Sequence, residues 1–159
     1  MHADPRRLRS RLAGLLLATA LPAGSGPAAA APPQLPGPIP AEVLEVVDGD
    51  TITVRAIIWL GQAVETHVRL EGIDAPELRA HCAQEKEKAE AARALARRLL
   101  ADGRARLLDV QADKYGGRVR ARVMTSTGAD LSQSLLDAGL ARPYRGEARQ
   151  PWCDDAGVG

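Results

Sequence analysis

Phenylalanine is absent from this 159-residue chain, and its aromatic residues are two tryptophans and two tyrosines. A core must therefore be built from Val, Ile and Leu, which is adequate for about 120 ordered residues but not generous. Long apolar runs are also missing. The N-terminal run Leu12 to Leu21 falls well short of the roughly 20 residues that span a bilayer stably. Net charge is close to zero, with 21 Lys+Arg against 20 Asp+Glu, so the chain has no global positive charge with which to hold a polyanion. Cysteine is limited to Cys82 and Cys153, and neither His67 nor His81 stands at a recognisable zinc-ligand spacing from them. No internal repeat or coiled-coil heptad is present.

What is present begins with an address. Arg6, Arg7, Arg9 and Arg11 precede the apolar run, and Ala28-Ala29-Ala30-Ala31 follow it. Basic, apolar and small-residue segments in that order make a secretory signal, here residues 1–31. Its removal would leave a secreted or periplasmic protein with no stable membrane insertion. The remainder carries 17 basic against 19 acidic residues, about −2. Any polyanion would then be held by locally clustered cations or through a bound metal. In an oxidising compartment the even pair Cys82 and Cys153 suggests one disulfide, with two free thiols as the alternative. Closing so long a loop would contribute about 4 kcal/mol in the chain-entropy model. It would also tie the C-terminal tail, residues 146–159, to the body.

Residues 32–40, Pro-Pro-Gln-Leu-Pro-Gly-Pro-Ile-Pro, read as an extended linker. Strand patterns follow at Val43–Val47, Ile52–Leu60 and Glu65–Leu70, joined by short turns. Cys82 to Asp102 predicts a helix, because Ala89, Ala92, Leu95, Ala96 and Leu99 recur at helical spacing and Gly103 stops it. Two more strands are expected at Arg104–Val110 and Arg118–Thr125. A capping box, Asp130-Leu-Ser-Gln133, then opens a second helix that ends at Gly139. Five short strands with a helix between the third and fourth predict an α+β, mainly β fold. It is a five-stranded OB-fold barrel with two to three helices, spanning residues 41–145. Trp59 and Trp152 are expected in the core or docking the tail.

The chemistry is concentrated in three short stretches. Asp48-Gly49-Asp50-Thr51 places two carboxylates around a glycine, and the Asp-Gly pair signals a tight hairpin turn in which glycine takes a positive φ. Arg69-Leu-Glu-Gly-Ile-Asp74-Ala75-Pro-Glu77 ends a strand and sets two acids three apart around a proline. Asp113-Lys114-Tyr115-Gly-Gly-Arg118 opens another strand. In this order, with Gly139-Leu140-Ala141 after the second helix, they resemble the thermonuclease family of staphylococcal-nuclease-like enzymes. The similarity runs from Val43 to Tyr144.

The resemblance implies an OB-fold enzyme that hydrolyses DNA and RNA phosphodiesters with calcium, leaving 3′-phosphate ends. It implies Asp50, Asp74 and the Ala75 carbonyl as direct calcium ligands, with Asp48 and Glu77 acting through water. Arg69 and Arg118 match the arginines that hold the phosphate, and Glu77 matches the residue that activates water. Lys114, Tyr115 and Tyr144 match nucleotide-contacting positions, and no protein partner is implied. Two departures stand out: Ala75 replaces a frequent threonine, and the Gly116-Gly117 loop is one residue longer than the family's Asp-x-Tyr-Gly-Arg. Placing the extra residue in the loop aligns Arg118, and it also aligns Ala121 with a small residue three positions later.

Elementary chemistry agrees with these roles. Calcium takes hard oxygen ligands in loose geometry. Attack on a phosphodiester builds charge on the phosphoryl oxygens, which a divalent ion and two forked guanidiniums stabilise. Arg120, Arg122, Arg142 and Arg145 form either a basic rim or a solvated face. The alternative function is a catalytically inactive OB-fold module that binds single-stranded or frayed nucleic acid. A calcium-binding structural domain is a third reading, and it would need neither arginine.

Overall fold

The computed structural model describes residues 33–153, so the expected signal segment lies outside them. Strands β1 (Gln34–Leu35), β2 (Ile39–Val46), β3 (Thr51–Trp59), β4 (Gln62–Leu70) and β5 (Ile73–Asp74) precede helix α1 (Ala83–Leu99). Strands β6 (Arg104–Ala112) and β7 (Arg118–Thr125), helix α2 (Leu131–Asp137) and strand β8 (Arg142–Pro143) follow. Strands β2, β3 and β4 form an antiparallel meander. β7 joins β4 in parallel and pairs antiparallel with β6. β6 returns to β2 and closes the barrel. This is the mainly β, five-stranded OB-type barrel expected from the sequence.

Period-two alternation fills the interior. Ile52, Val54, Val68, Leu70, Leu107 and Val123 are buried inside, and Leu131 and Leu135 of α2 close one end. Both helix boundaries follow their capping chemistry. Cys82 caps α1, its Sγ accepting from the Glu85 backbone N–H, and Asp130 caps α2, its carboxylate accepting from the Gln133 N–H. The disulfide Cys82–Cys153 is formed.

Without Phe, helix α1 packs through a flat face of Ala89, Ala92 and Ala96. That lets its backbone approach the β2–β3 loop, and the approach corrects the sequence reading of Gly49. Gly49 is not among the positive-φ glycines. Its role is room: a Cβ there would lie 2.8 Å from both the Ala75 and Ala92 methyls. Gly49→Ala is therefore expected to lose about 1–3 kcal/mol through overpacking, read by denaturant unfolding. Unchanged stability would contradict the close contact.

Two other expectations are corrected. The proline-rich stretch is not simply a linker: Gln34 and Leu35 pair with Gln111 and Val110, and Ile39 and Pro40 with Leu107 and Arg106. Pro33 and Pro36 flank β1, and Pro40 is the second residue of β2, near the strand start where a missing N–H costs least. Trp59 is not in the core. The β3–β4 hairpin runs beyond the barrel, leaving Trp59 72% and Leu60 90% exposed.

Candidate active site

The β2–β3 loop brings Asp50 beside the end of β4, where Thr51 pairs with Arg69. Asp50 is buried, 4% exposed. Its Oδ1 accepts from Arg69 Nη1 at 2.9 Å and from the Thr51 hydroxyl at 3.0 Å. Its Oδ2 accepts from the Ala75 N–H at 3.1 Å. Burial pushes the Asp50 carboxyl above the ordinary carboxylate range; the Arg69 charge opposes this and the Asp48 charge adds to it. Asp48 serves the turn itself, its Oδ1 accepting from the Asp50 N–H at 3.0 Å.

Asp74 is fixed by the ribbon of β5 and β8, where it faces Arg142. Arg69 Nη2 lies 3.6 Å from Asp74 Oδ1 and donates to the Ile73 carbonyl. One arginine thus spans both buried acids. Glu77 follows the proline, with its backbone N–H donating to Glu85 Oε1 at 3.2 Å and its side chain half exposed.

Strand β7 begins at Arg118, which pairs with His67 of β4. Gly117 just before it has φ 76°, a conformation open to glycine at little cost. Arg118 Nε donates to Asp113 Oδ2 at 2.5 Å, and its guanidinium lies 5.0 Å from the Tyr115 ring centre. Lys114 Nζ lies 5.1 Å from the same ring. A cleft of about 870 Å³ is lined by Asp48, Asp50, Arg69, Glu77, Lys114, Tyr115, Arg118 and Tyr144. An adjoining cavity of about 300 Å³ holds Asp74, Ala75 and the other side of Glu77. The three sequence stretches therefore meet at one place.

Three of the four further arginines are each held by a different partner. Arg120 lines the cleft and pairs with Glu71 at 3.3 Å. Arg122 is tied to Asp130 at 3.1 Å, and Arg142 lies over the Trp152 ring at 3.7 Å.

The sequence reading missed Arg149. Its Nε lies 2.9 Å from Asp74 Oδ1, and its Nη1 is 2.5 Å from Glu77 Oε1. Burial lowers the Arg149 pKa, but its hydrogen bond to Glu77 and the Asp74 and Glu77 charges outweigh that and raise it. Trp152, buried as expected for a docking residue, donates its indole N–H to Asp74 Oδ2 at 3.3 Å. The only sequence signal for either was the neighbouring Cys153.

The family model described as staphylococcal nuclease homologue matches residues 67–155. The chain belongs to that family. No curated protein matches it. The matched stretch contains Arg69, Asp74, Glu77, Arg118 and the tail residues Arg149 and Trp152, while Asp48 and Asp50 precede it. Asp50 joins this nuclease-family site through its bonds to Arg69 and Ala75.

Calcium, the cation the resemblance implied, fits the donors around Asp50 and Asp74. They are carboxylate oxygens, and the buried Asp74 Oδ1 receives no aligned hydrogen bond despite the nearby arginines. An unsatisfied buried carboxylate oxygen is what a hard cation would complete. Cys82, Glu85 and Cys153 also cluster, but both sulfurs are consumed by the disulfide.

Proposed function

We propose that this protein is an exported, calcium-dependent nuclease that hydrolyses phosphodiester bonds of single-stranded or frayed DNA and RNA. The observation that carries the reading is the convergence of Arg69, Arg118 and Glu77 on one cleft beside the Asp50–Asp74 pair. Calcium, when bound, would supply positive charge to a phosphoryl oxygen. Arg69 and Arg118 would add their charge to the phosphoryl oxygens, Arg118 through the Nη atoms that its Nε–Asp113 bond leaves free. Glu77 would accept a proton from the attacking water. Lys114, Tyr115 and Tyr144 would hold the adjoining nucleotides, with Tyr115 exposed enough for a base to stack on it. The Cys82–Cys153 disulfide supports an oxidising compartment, as a signal peptide at residues 1–31 would require. Among the described residues, no helix is long and apolar enough to cross a membrane.

A binding module without catalysis would have no use for a glutamate between two phosphate-facing arginines. Digestion of heat-denatured DNA and of RNA with calcium, followed by end-group analysis, tests the reading. Fragments ending in 3′-phosphate are expected, and 3′-hydroxyl ends would contradict the assignment.

The buried carboxyls add a stability prediction. A raised carboxyl pKa means that the stability Asp50 contributes when protonated is lost as pH rises through its folded value. Asp50→Asn sets an amide NH2 against either the Ala75 N–H or the Arg69 and Thr51 donors, so in chelator it is expected to melt below the parent at acidic pH, with the gap narrowing as pH rises through the folded Asp50 value. Calcium should raise the melting temperature of the parent but not of the variant. A gap that widens toward neutral pH, or an equal gain from calcium, would refute this role for Asp50.

A further inference from the structure

Residues 145–151 are exposed without interruption, and then Trp152 is buried. Two cations lie over the ring, Arg142 at 3.7 Å and Lys88 at 5.7 Å from its centre. Cys153, the next residue, is bonded to the cap of α1. Packing alone would need only the ring, yet the indole N–H is aimed at Asp74 Oδ2, 3.3 Å away. Arg149 takes Asp74 Oδ1 and Glu77 Oε1 from the same segment. Both oxygens of one carboxylate and one oxygen of another are thus met by two residues of a five-residue tail segment.

We infer that Arg149–Cys153 is a positioning arm of the active site. Its Trp152 indole orients Asp74 for the cation, and its Arg149 guanidinium orients Glu77 for water. The inference rests on the calcium-dependent nuclease reading and extends it to residues outside the three site stretches. Carboxylates that ligate metals are themselves commonly hydrogen-bonded from behind, which fixes their orientation. Trp152 fits that arrangement because one N–H occupies one lone pair of Oδ2, while Arg149 and Arg69 meet Oδ1 as ion pairs without an aligned hydrogen bond, so each oxygen keeps a lone pair for the cation. Arg149 engages a single oxygen of Glu77, and Oε2 remains for water. The disulfide sets where the arm starts: it fixes Cys153 against α1, one residue from the tryptophan. Oxidation of Cys82 and Cys153 is then a condition for the full calcium affinity of the site.

The test compares the parent with Trp152→Phe, Arg149→Gln and the double variant Cys82→Ser/Cys153→Ser. Calcium affinity is measured by calorimetry, melting temperature in chelator, and kcat and KM at saturating calcium. Trp152→Phe keeps the ring and loses the donor, so calcium affinity is expected to fall about 10- to 100-fold with little change in melting in chelator. Arg149→Gln is expected to lower kcat at saturating calcium with KM nearly unchanged. The double serine variant should show both losses. If Trp152→Phe lowers only the melting temperature and binds calcium like the parent, Trp152 is a packing residue and the inference fails. A rise in kcat for Arg149→Gln would make the segment an obstruction and overturn it as well. A parent chain that neither binds calcium nor cleaves would remove the nuclease reading itself. That outcome is distinct from a parent that binds and cleaves while its arm variants behave identically.

Discussion

Replacing Arg118 by alanine is expected to cut calcium-dependent cleavage by about 10²–10³-fold, the usual cost of losing one donor to transition-state charge. Some stability should be lost as well, because the Asp113 side chain is 5% exposed and loses its counter-charge, but less than at Arg69, since Arg118 is itself 25% exposed and serves one acid. Arg69→Ala is expected to cost at least as much in rate and to differ in stability. Arg69 is 11% exposed and serves two buried acids, Asp50 and Asp74. Removing it leaves carboxylates buried without their counter-charge, a change that costs about 3–5 kcal/mol for a buried pair broken from one side. The Arg69→Ala protein should therefore unfold much earlier in chelator and recover part of the loss in calcium. Equal stabilities for the two variants would show that Arg69 is not the partner of the buried acids. Normal turnover by Arg118→Ala would show that the long Gly116-Gly117 loop does not deliver Arg118 to the phosphate.

Glu77→Gln is the second variant with a large expected effect. The substitution keeps the shape of the side chain and removes its ability to take a proton. Turnover should fall about 10²–10⁴-fold, the range for a positioned general base. Binding of single-stranded DNA should be retained or strengthened, since a negative charge leaves the cleft. The ion pair with Arg149 is half exposed, so its loss should change stability little. Cleavage and binding measured on one preparation separate the two functional classes. A nuclease loses the first and keeps the second, whereas a binding module shows no cleavage to lose.

The barrel was legible in the sequence because two periodicities state it openly. Val and Ile alternate along β3 and β4, and alanines recur on one face of α1. The acids and arginines were legible for another reason: turn and strand-end residues cluster within nine positions from Arg69 to Glu77, and the topology has little freedom to separate them. Gly49 was misread because its dipeptide context favours a turn, while its actual constraint is the approach of Ala92 from a helix some forty residues later. Local sequence carries no sign of such an approach. Arg149 was invisible for the same kind of reason. It lies in a polar segment without periodicity, and its position is set by a covalent bond to Cys82, 71 residues before Cys153. The cysteine pair predicted that the tail would be tied down. It could not show that the tied segment would reach Asp74 and Glu77.

Calcium-dependent cleavage is tested most directly by one rate measurement with the purified protein from residue 32 onward. Heat-denatured DNA is incubated with it in calcium, then with excess chelator, then with calcium restored. Cleavage that appears, stops and returns is the predicted result. No cleavage in calcium at any pH from mildly acidic to alkaline, or cleavage that continues unchanged in chelator, would contradict it.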